Sequence, residues 1–256
     1  MFGQSVEEEW LYHHPGFEEA MNRLLYVCEA GEALAVVMAE DGSGRTSLLK
    51  SVFEQRSRGG HQAVLVSTAA CRQQTVLKQI CRALMIDAPQ SALPGELLLL
   101  IKDEVRGREL CGRHTAILLD DLHRADEDLY GILRFLSSIN QQTGGALSLI
   151  AGTSADDRSV AVSESVLKIE LRQLTEVQAV EFLATGLGLN GALDRVETDG
   201  LLAAVQLSKQ NLGSLKRSCA VMLAALEADE NLFLNAALVE ALFEETLQQS
   251  SSYKAA

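Results

Sequence analysis

LAVVMAEDGSGRTSLL, residues 34–49, is the stretch on which the reading of this chain turns. Leu34, Val36, Val37 and Met38 form an apolar, β-rich run. It ends at a polar turn carrying glycines, and Thr46, Leu48 and Leu49 then open a helical pattern. The order is strand, loop, helix. The loop Ala39, Glu40, Asp41, Gly42, Ser43, Gly44, Arg45, Thr46, with Ser47 in the first helical turn, has the length and order of GxxxxGK[ST], a phosphate-binding loop. A plain glycine turn between a strand and a surface helix is the competing reading of these residues alone.

Glycine belongs in such a loop because the backbone must wrap a phosphate chain with its N–H groups pointing inward. The following helix adds unpaired N–H groups and the positive end of its dipole. Thr46 supplies a hydroxyl for Mg²⁺. Ala39 stands in place of the first glycine of the pattern, a small change, and Arg45 in place of its lysine, a large one. A lysine is a thin point charge, whereas a guanidinium is a broad planar fork that needs more room. Arg45 is expected to keep phosphate attraction and lose fine placement.

Downstream, Thr115 to Leu119 is an apolar strand that ends on two carboxylates, Asp120 and Asp121. A strand end facing a phosphate loop is where a Mg²⁺ site needs an acid, and Asp120 is the metal candidate with Thr46. In the hhhhDE form of this motif the second acid orients or deprotonates the attacking water. Here that acid is Asp121, one methylene shorter. Two aspartates that only start a turn are the alternative. A further apolar run, residues 146–151, ends in Gly152-Thr153-Ser154, and Thr153 is the candidate for contact with the attacking water or the outer phosphate.

The remaining elements fill in the frame. A helix is expected after Pro15-Gly16, carrying Phe17, Met21, Leu24, Leu25 and Cys28, with Trp10, Leu11 and Tyr12 before it. Residues 63–68 and 166–171 read as strands; residues 71–86, 95–110 and 126–140 read as helices. Five apolar strands alternating with helices imply a three-layer αβα fold around a five-stranded parallel sheet. From Leu174 the pattern is helical only: Thr175 to Gln178 form a capping box, and helices follow near 197–209, 214–227 and 235–247. The expected division is an αβα nucleotide-binding domain with its lead-in over residues 1–172, a helical lid over 173–247, and a frayed polar tail over 248–256.

Composition limits the alternatives. A hydrophobic fraction of 47% in 256 residues is ample for a core, and no apolar run approaches the length of a membrane span. The start, MFGQSVEEEW, lacks the basic and apolar regions of a signal peptide, so a cytoplasmic location is expected. Five scattered cysteines suit reduced thiols packed as small core residues. A formal charge of −13 argues against broad binding to nucleic acid, while Arg56, Arg58, Lys216 and Arg217 leave a local basic patch open.

Taken together, these motifs resemble an AAA+ P-loop ATPase, in the branch similar to secretion-pathway protein A (ExeA/GspA) and to the ATPase subunits of transposition systems. The resemblance rests on residues 10–49, on ILLDDLHRAD, LSLIAGT and KIELRQLTEVQAVEFL, and on NLGSLKR in the lid. It implies ATP or ADP as ligand with Mg²⁺, and homo- or hetero-oligomers with other AAA+ subunits. It also implies a location at most peripheral to the inner membrane, through a partner. It places Lys168 where an arginine finger is usual, Lys216 or Arg217 near the lid's sensor arginine, and Thr153 at the first sensor. With Arg45, Asp121 and Lys168, charge types are kept and geometries changed. The expectation is therefore nucleotide binding with weak or absent hydrolysis, as a switch or assembly subunit. An active motor and a nucleotide-free scaffold are the rivals.

Overall fold

The computed structural model describes residues 14–126 and 128–244. Trp10, Leu11, Tyr12 and the polar tail lie outside the described residues. The chain divides into two compact units, one over Pro15–Leu171 and one from Arg172 onward.

The first unit alternates strand and helix. Its elements are α1 (Pro15–Ala30), β1 (Leu34–Ala39), α2 (Arg45–Arg58), β2 (Gln62–Ser67), α3 (Gln73–Ala83) and α4 (Pro94–Leu110). After these come β3 (Thr115–Asp120), α5 (Leu129–Gln142), β4 (Leu147–Ser154), α6 (Val160–Glu164) and β5 (Leu167–Leu171). All strand pairs are parallel, and the sheet order is β2-β3-β4-β1-β5. Every residue of β1 and β3 is buried, as a parallel sheet covered on both faces requires. Leu34, Val36 and Met38 join one apolar cluster with Val76, Ile80, Leu97, Ile101, Leu129 and Ile132 from α3, α4 and α5. Alternate residues Ala35 and Val37 point the other way, toward the side packed by α1 and α2.

The second unit contains α7 (Glu176–Leu189), α8 (Thr198–Leu207) and α9 (Leu212–Ala228), with a further helix at 236–244. Thr175 caps α7 as expected: its hydroxyl accepts from the Gln178 N–H, and the Gln178 side chain accepts from the Thr175 N–H at 2.9 Å. Asn211 caps α9 by accepting from the Ser214 N–H. Phe182, Leu183, Ala204, Leu215, Met222 and Leu226 are buried within this unit.

The αβα expectation therefore holds, as a five-stranded parallel P-loop NTPase fold followed by a helical region. Several details differ. β4 runs three residues beyond the apolar stretch, through Thr153 to Ser154, because it pairs with β1 as far as Ala39. A 3-10 turn, Leu122–Arg124, separates the two aspartates from α5, which begins at Leu129. The helix α6, VAVSE, is only five residues long, too short for a helical period to show in the sequence. Cys28, Cys81 and Cys219 are buried as small core residues, whereas Cys111 at the end of α4 is exposed; among the described residues all five thiols are free. No described helix is long and apolar enough to cross a membrane.

Candidate functional site

The site lies at the carboxyl ends of β1, β3 and β4, where their carbonyls and following loops converge. Register places Met38 beside Thr153 and Ala39 beside Ser154. β4 thus stands between the loop strand β1 and the carboxylate strand β3. In the loop, Gly42 and Gly44 take φ of 81° and 96°, the left-handed region that a side chain disfavours. The turn is closed by Ser43, whose N–H and hydroxyl both donate to the Glu40 carbonyl. The end of β3 is pinned from β2: the Thr68 N–H and hydroxyl each donate to the Asp120 carbonyl at 2.8 Å.

Arg45 occupies the centre. Its side chain is only 6% exposed. Nη1 donates to the carbonyls of Ala39 at 3.1 Å and Thr153 at 2.9 Å, Nε donates to Asp120 Oδ1 at 3.4 Å, and Nη2 donates to Asp121 Oδ1 at 2.7 Å. The guanidinium is therefore turned down onto the strand ends and the two acids. A lysine, with one ammonium, could not bridge so many acceptors at once. In this structure all four of its side-chain hydrogen bonds go to protein oxygens.

Asp120 is almost fully buried. Its Oδ2 accepts from the Thr46 hydroxyl at 2.6 Å, and its Oδ1 also accepts from the Asp121 N–H. Asp121 takes φ 60° and ψ 38°, a left-handed conformation that aspartate tolerates better than most residues. That backbone turn accompanies the meeting of its carboxylate with Arg45. Gly152 of β4 lies against α2 and the end of β3 with no room for a side chain. A Cβ there would come within 2.9 Å of Leu49 Cδ1, 3.0 Å of Arg45 Cδ and 3.1 Å of Asp120 Oδ1.

The predicted residues are brought together unequally. Residues 39–47, Asp120, Asp121 and Thr153 gather at one end of the sheet. Thr153, however, offers Arg45 its carbonyl, while its hydroxyl donates to Asp157. Asp157 also accepts from the Ser159 N–H at the start of α6. Lys168 lies near the start of β5, in register with Val36 and three residues short of Ala39, with an exposed side chain. It does not join the loop of its own chain. Lys216 and Arg217 belong to α9 in the other unit, where Arg217 donates to Ser214.

One pair escaped the sequence reading. Arg124, from the 3-10 turn after β3, donates to Asp41 of the loop at 2.7 Å. Both residues stood within quoted motifs, but nothing in their spacing, 83 residues, says that they meet.

The oxygens of Thr46 and Asp120 are hard ligands of the kind Mg²⁺ takes, and the Thr46 hydroxyl spends its proton on Asp120 while its lone pairs remain for a cation. The donor set thus fits the metal.

A glycine-bearing loop after β1, leading into a helix, and a carboxylate strand beyond β4 define a P-loop NTPase of the AAA+ type. The chain belongs to the AAA domain family, whose sequence profile matches residues 28–159, just over half its length. No curated protein matches it by sequence. Among solved structures it is similar to Cdc6p from Pyrobaculum aerophilum, with TM-score 0.69 and 16% identity over 86% of this chain and 64% of that one. It is also similar to Drosophila ORC bound to DNA, with TM-score 0.70 and 11% identity over 94% of this chain and 65% of that one. The Holliday junction branch migration motor RuvB of Thermotoga maritima matches with TM-score 0.58 and 15% identity, over 89% of this chain and 68% of that one. At these identities the likeness is one of fold. The chain spans under two thirds of the Cdc6p and ORC chains.

Proposed function

We propose that this chain is a nucleotide-binding AAA+ subunit that hydrolyses ATP weakly or not at all, and that it works as a nucleotide-dependent switch or assembly subunit. The observation that carries this reading is the 2.7 Å ion pair between Arg45 and Asp121. Asp121 occupies the position from which an acid would orient or deprotonate water. A carboxylate bound at that distance to a guanidinium has fewer lone pairs free to engage a water. Loss of a general base costs roughly 10²- to 10⁴-fold in rate, and misplacement by ~1 Å about a hundredfold.

Binding depends less on these groups. The loop N–H groups, the start of α2, Thr46 and Asp120 remain available to a phosphate chain and its cation. Mg²⁺, held by Thr46 and Asp120, would neutralise phosphate charge. Lys168 is our candidate for contact across a subunit boundary, and Lys216 or Arg217 for contact with nucleotide from the helical unit. The partners we expect are AAA+ subunits, identical or paralogous, in the cytoplasm, and we place the chain with the secretion- and transposition-type branch. A net charge of −13 disfavours duplex DNA as its main ligand, although ORC is seen bound to DNA and RuvB is a branch migration motor.

A nucleotide-free scaffold is the second reading, favoured by the four hydrogen bonds that Arg45 makes within the protein. Thermal melting separates the two. With Mg²⁺ and ATP or ADP in large excess over Kd, a binding subunit gains about 3 kcal/mol or more of stability, read as a raised melting temperature. No shift with ATP, ADP or GTP would leave the scaffold.

A further inference from the structure

The carboxylate of Asp41 lies between two guanidinium groups, with Oδ2 2.7 Å from Arg124 Nη2 and Oδ1 3.7 Å from Arg45 Nη2. Asp41 is the third residue of the loop 39–46, whose backbone donors are the phosphate site proposed above. An anion therefore already stands at that site's rim between two cations, and the loop itself supplies it.

The two arginines differ in how firmly they are held. Arg45 is buried and bound to two strand-end carbonyls and to Asp120 and Asp121. Arg124 is 51% exposed and reaches Asp41, itself 66% exposed. An exposed pair of this kind is weakly held in water. A phosphate carries more charge than a carboxylate and offers more acceptor oxygens, so it competes well for a guanidinium. Exposed Asp41 can turn out to solvent without leaving a charge buried. Arg124 is positioned by its backbone, whose carbonyl accepts from the Ala70 N–H and whose N–H donates to the Asp121 carbonyl. Its side chain can change partner while its Cα stays in place.

We propose that Asp41 is an internal competitor for phosphate and that Arg124 passes from Asp41 to the outer phosphate of bound nucleotide. This rests on nucleotide binding by the same loop. Arg124 then favours ATP over ADP, and Asp41 sets the concentration at which the chain loads.

Calorimetric titration of the full chain with ATP and with ADP, at fixed Mg²⁺ and ionic strength, tests this in four proteins: the natural chain, Asp41→Asn, Arg124→Gln and the double variant. The expected result is ATP affinity raised about three- to tenfold by Asp41→Asn and lowered by a similar factor by Arg124→Gln, with ADP affected less. A general loss of negative charge would act alike in both backgrounds, so the decisive reading is coupling. The gain from Asp41→Asn should fall below about twofold once Arg124 is gone. Equal gains in both backgrounds, or none, would overturn the inference while leaving nucleotide binding in place. If neither the natural chain nor Asp41→Asn binds ATP or ADP, the binding reading fails and this one with it.

Discussion

Arg45 and Asp121, 76 residues apart in the sequence, meet at 2.7 Å at the carboxyl end of the sheet. One is the cation of the phosphate loop, the other the second acid after the carboxylate strand. On the proposed reading, the pairing draws each from the task its position suggests. The pair is shielded by the fold, since the Arg45 side chain is 6% and that of Asp121 21% exposed, so water screens it little.

Arg45 should consequently be part of the resting structure. Arg45→Met removes the guanidinium from Asp120, Asp121 and the carbonyls of Ala39 and Thr153, although Asp120 keeps the Thr46 hydroxyl and the Asp121 N–H. Breaking a buried ion pair from one side costs about 3–5 kcal/mol. A fall of roughly 6–20 °C in melting temperature without nucleotide is expected. Arg45→Lys retains a cation and should lose less than half of that. Equal stability of the methionine variant would show that the pair is ornamental to the fold.

Gly152 should be costly to replace for steric reasons. A methyl group there meets Leu49, Arg45 and Asp120 within 3.1 Å. Overpacking of this kind costs about 1–3 kcal/mol. Because two of those neighbours are site residues, Gly152→Ala should weaken nucleotide binding as well as lower the melting temperature. Calorimetry and thermal melting on one sample check both effects.

Acid should destabilise the chain from the opposite end of the sheet. His114 Nδ1 lies 3.2 Å from Arg56 Nη2, and its Nε2 lies 3.2 Å from Ser148 Oγ. Arginine can only donate, so Nδ1 accepts; Ser148 donates to the Glu32 carbonyl, so Nε2–H donates to Ser148. The ring is held neutral. Burial, then the charges of Arg56 and His61, push its pKa down to about 4. A depressed histidine binds fewer protons folded than unfolded between about pH 6.5 and pH 4, so stability falls as pH falls through that window. The loss should be on the order of 1–2 kcal/mol, allowing for solvent screening of a partly exposed ring. Urea midpoints at pH 7 and pH 5 measure it, and His114→Gln should flatten the difference.

Much of this fold could be read from the chain because its strands are buried on both faces and appear as unbroken apolar runs. LAVVM, AVLV and TAILL declare themselves in that way. β4 was read short because Gly152, Thr153 and Ser154 resemble a turn by composition, and only pairing with β1 makes them strand. The loop glycines and both aspartates were legible as types at positions. Their use was not. Nothing in the letters R and D says that Arg45 turns down to the carbonyls of Ala39 and Thr153, that Thr153 spends its hydroxyl on Asp157, or that Arg124 closes on Asp41. Such choices depend on side-chain direction and on distances across the sheet, which periodicity does not carry.

The most direct test is phosphate release from ATP by the natural chain beside Arg45→Lys with Asp121→Glu, in the presence of Mg²⁺. A switch derived from a motor should show ATP-induced stabilisation with negligible release, and the double variant should release phosphate at least tenfold faster, as expected when a free acid of ordinary length returns to the water. Ready release by the natural chain, with no gain from the substitutions, would contradict the idea that the Arg45–Asp121 pair silences the site.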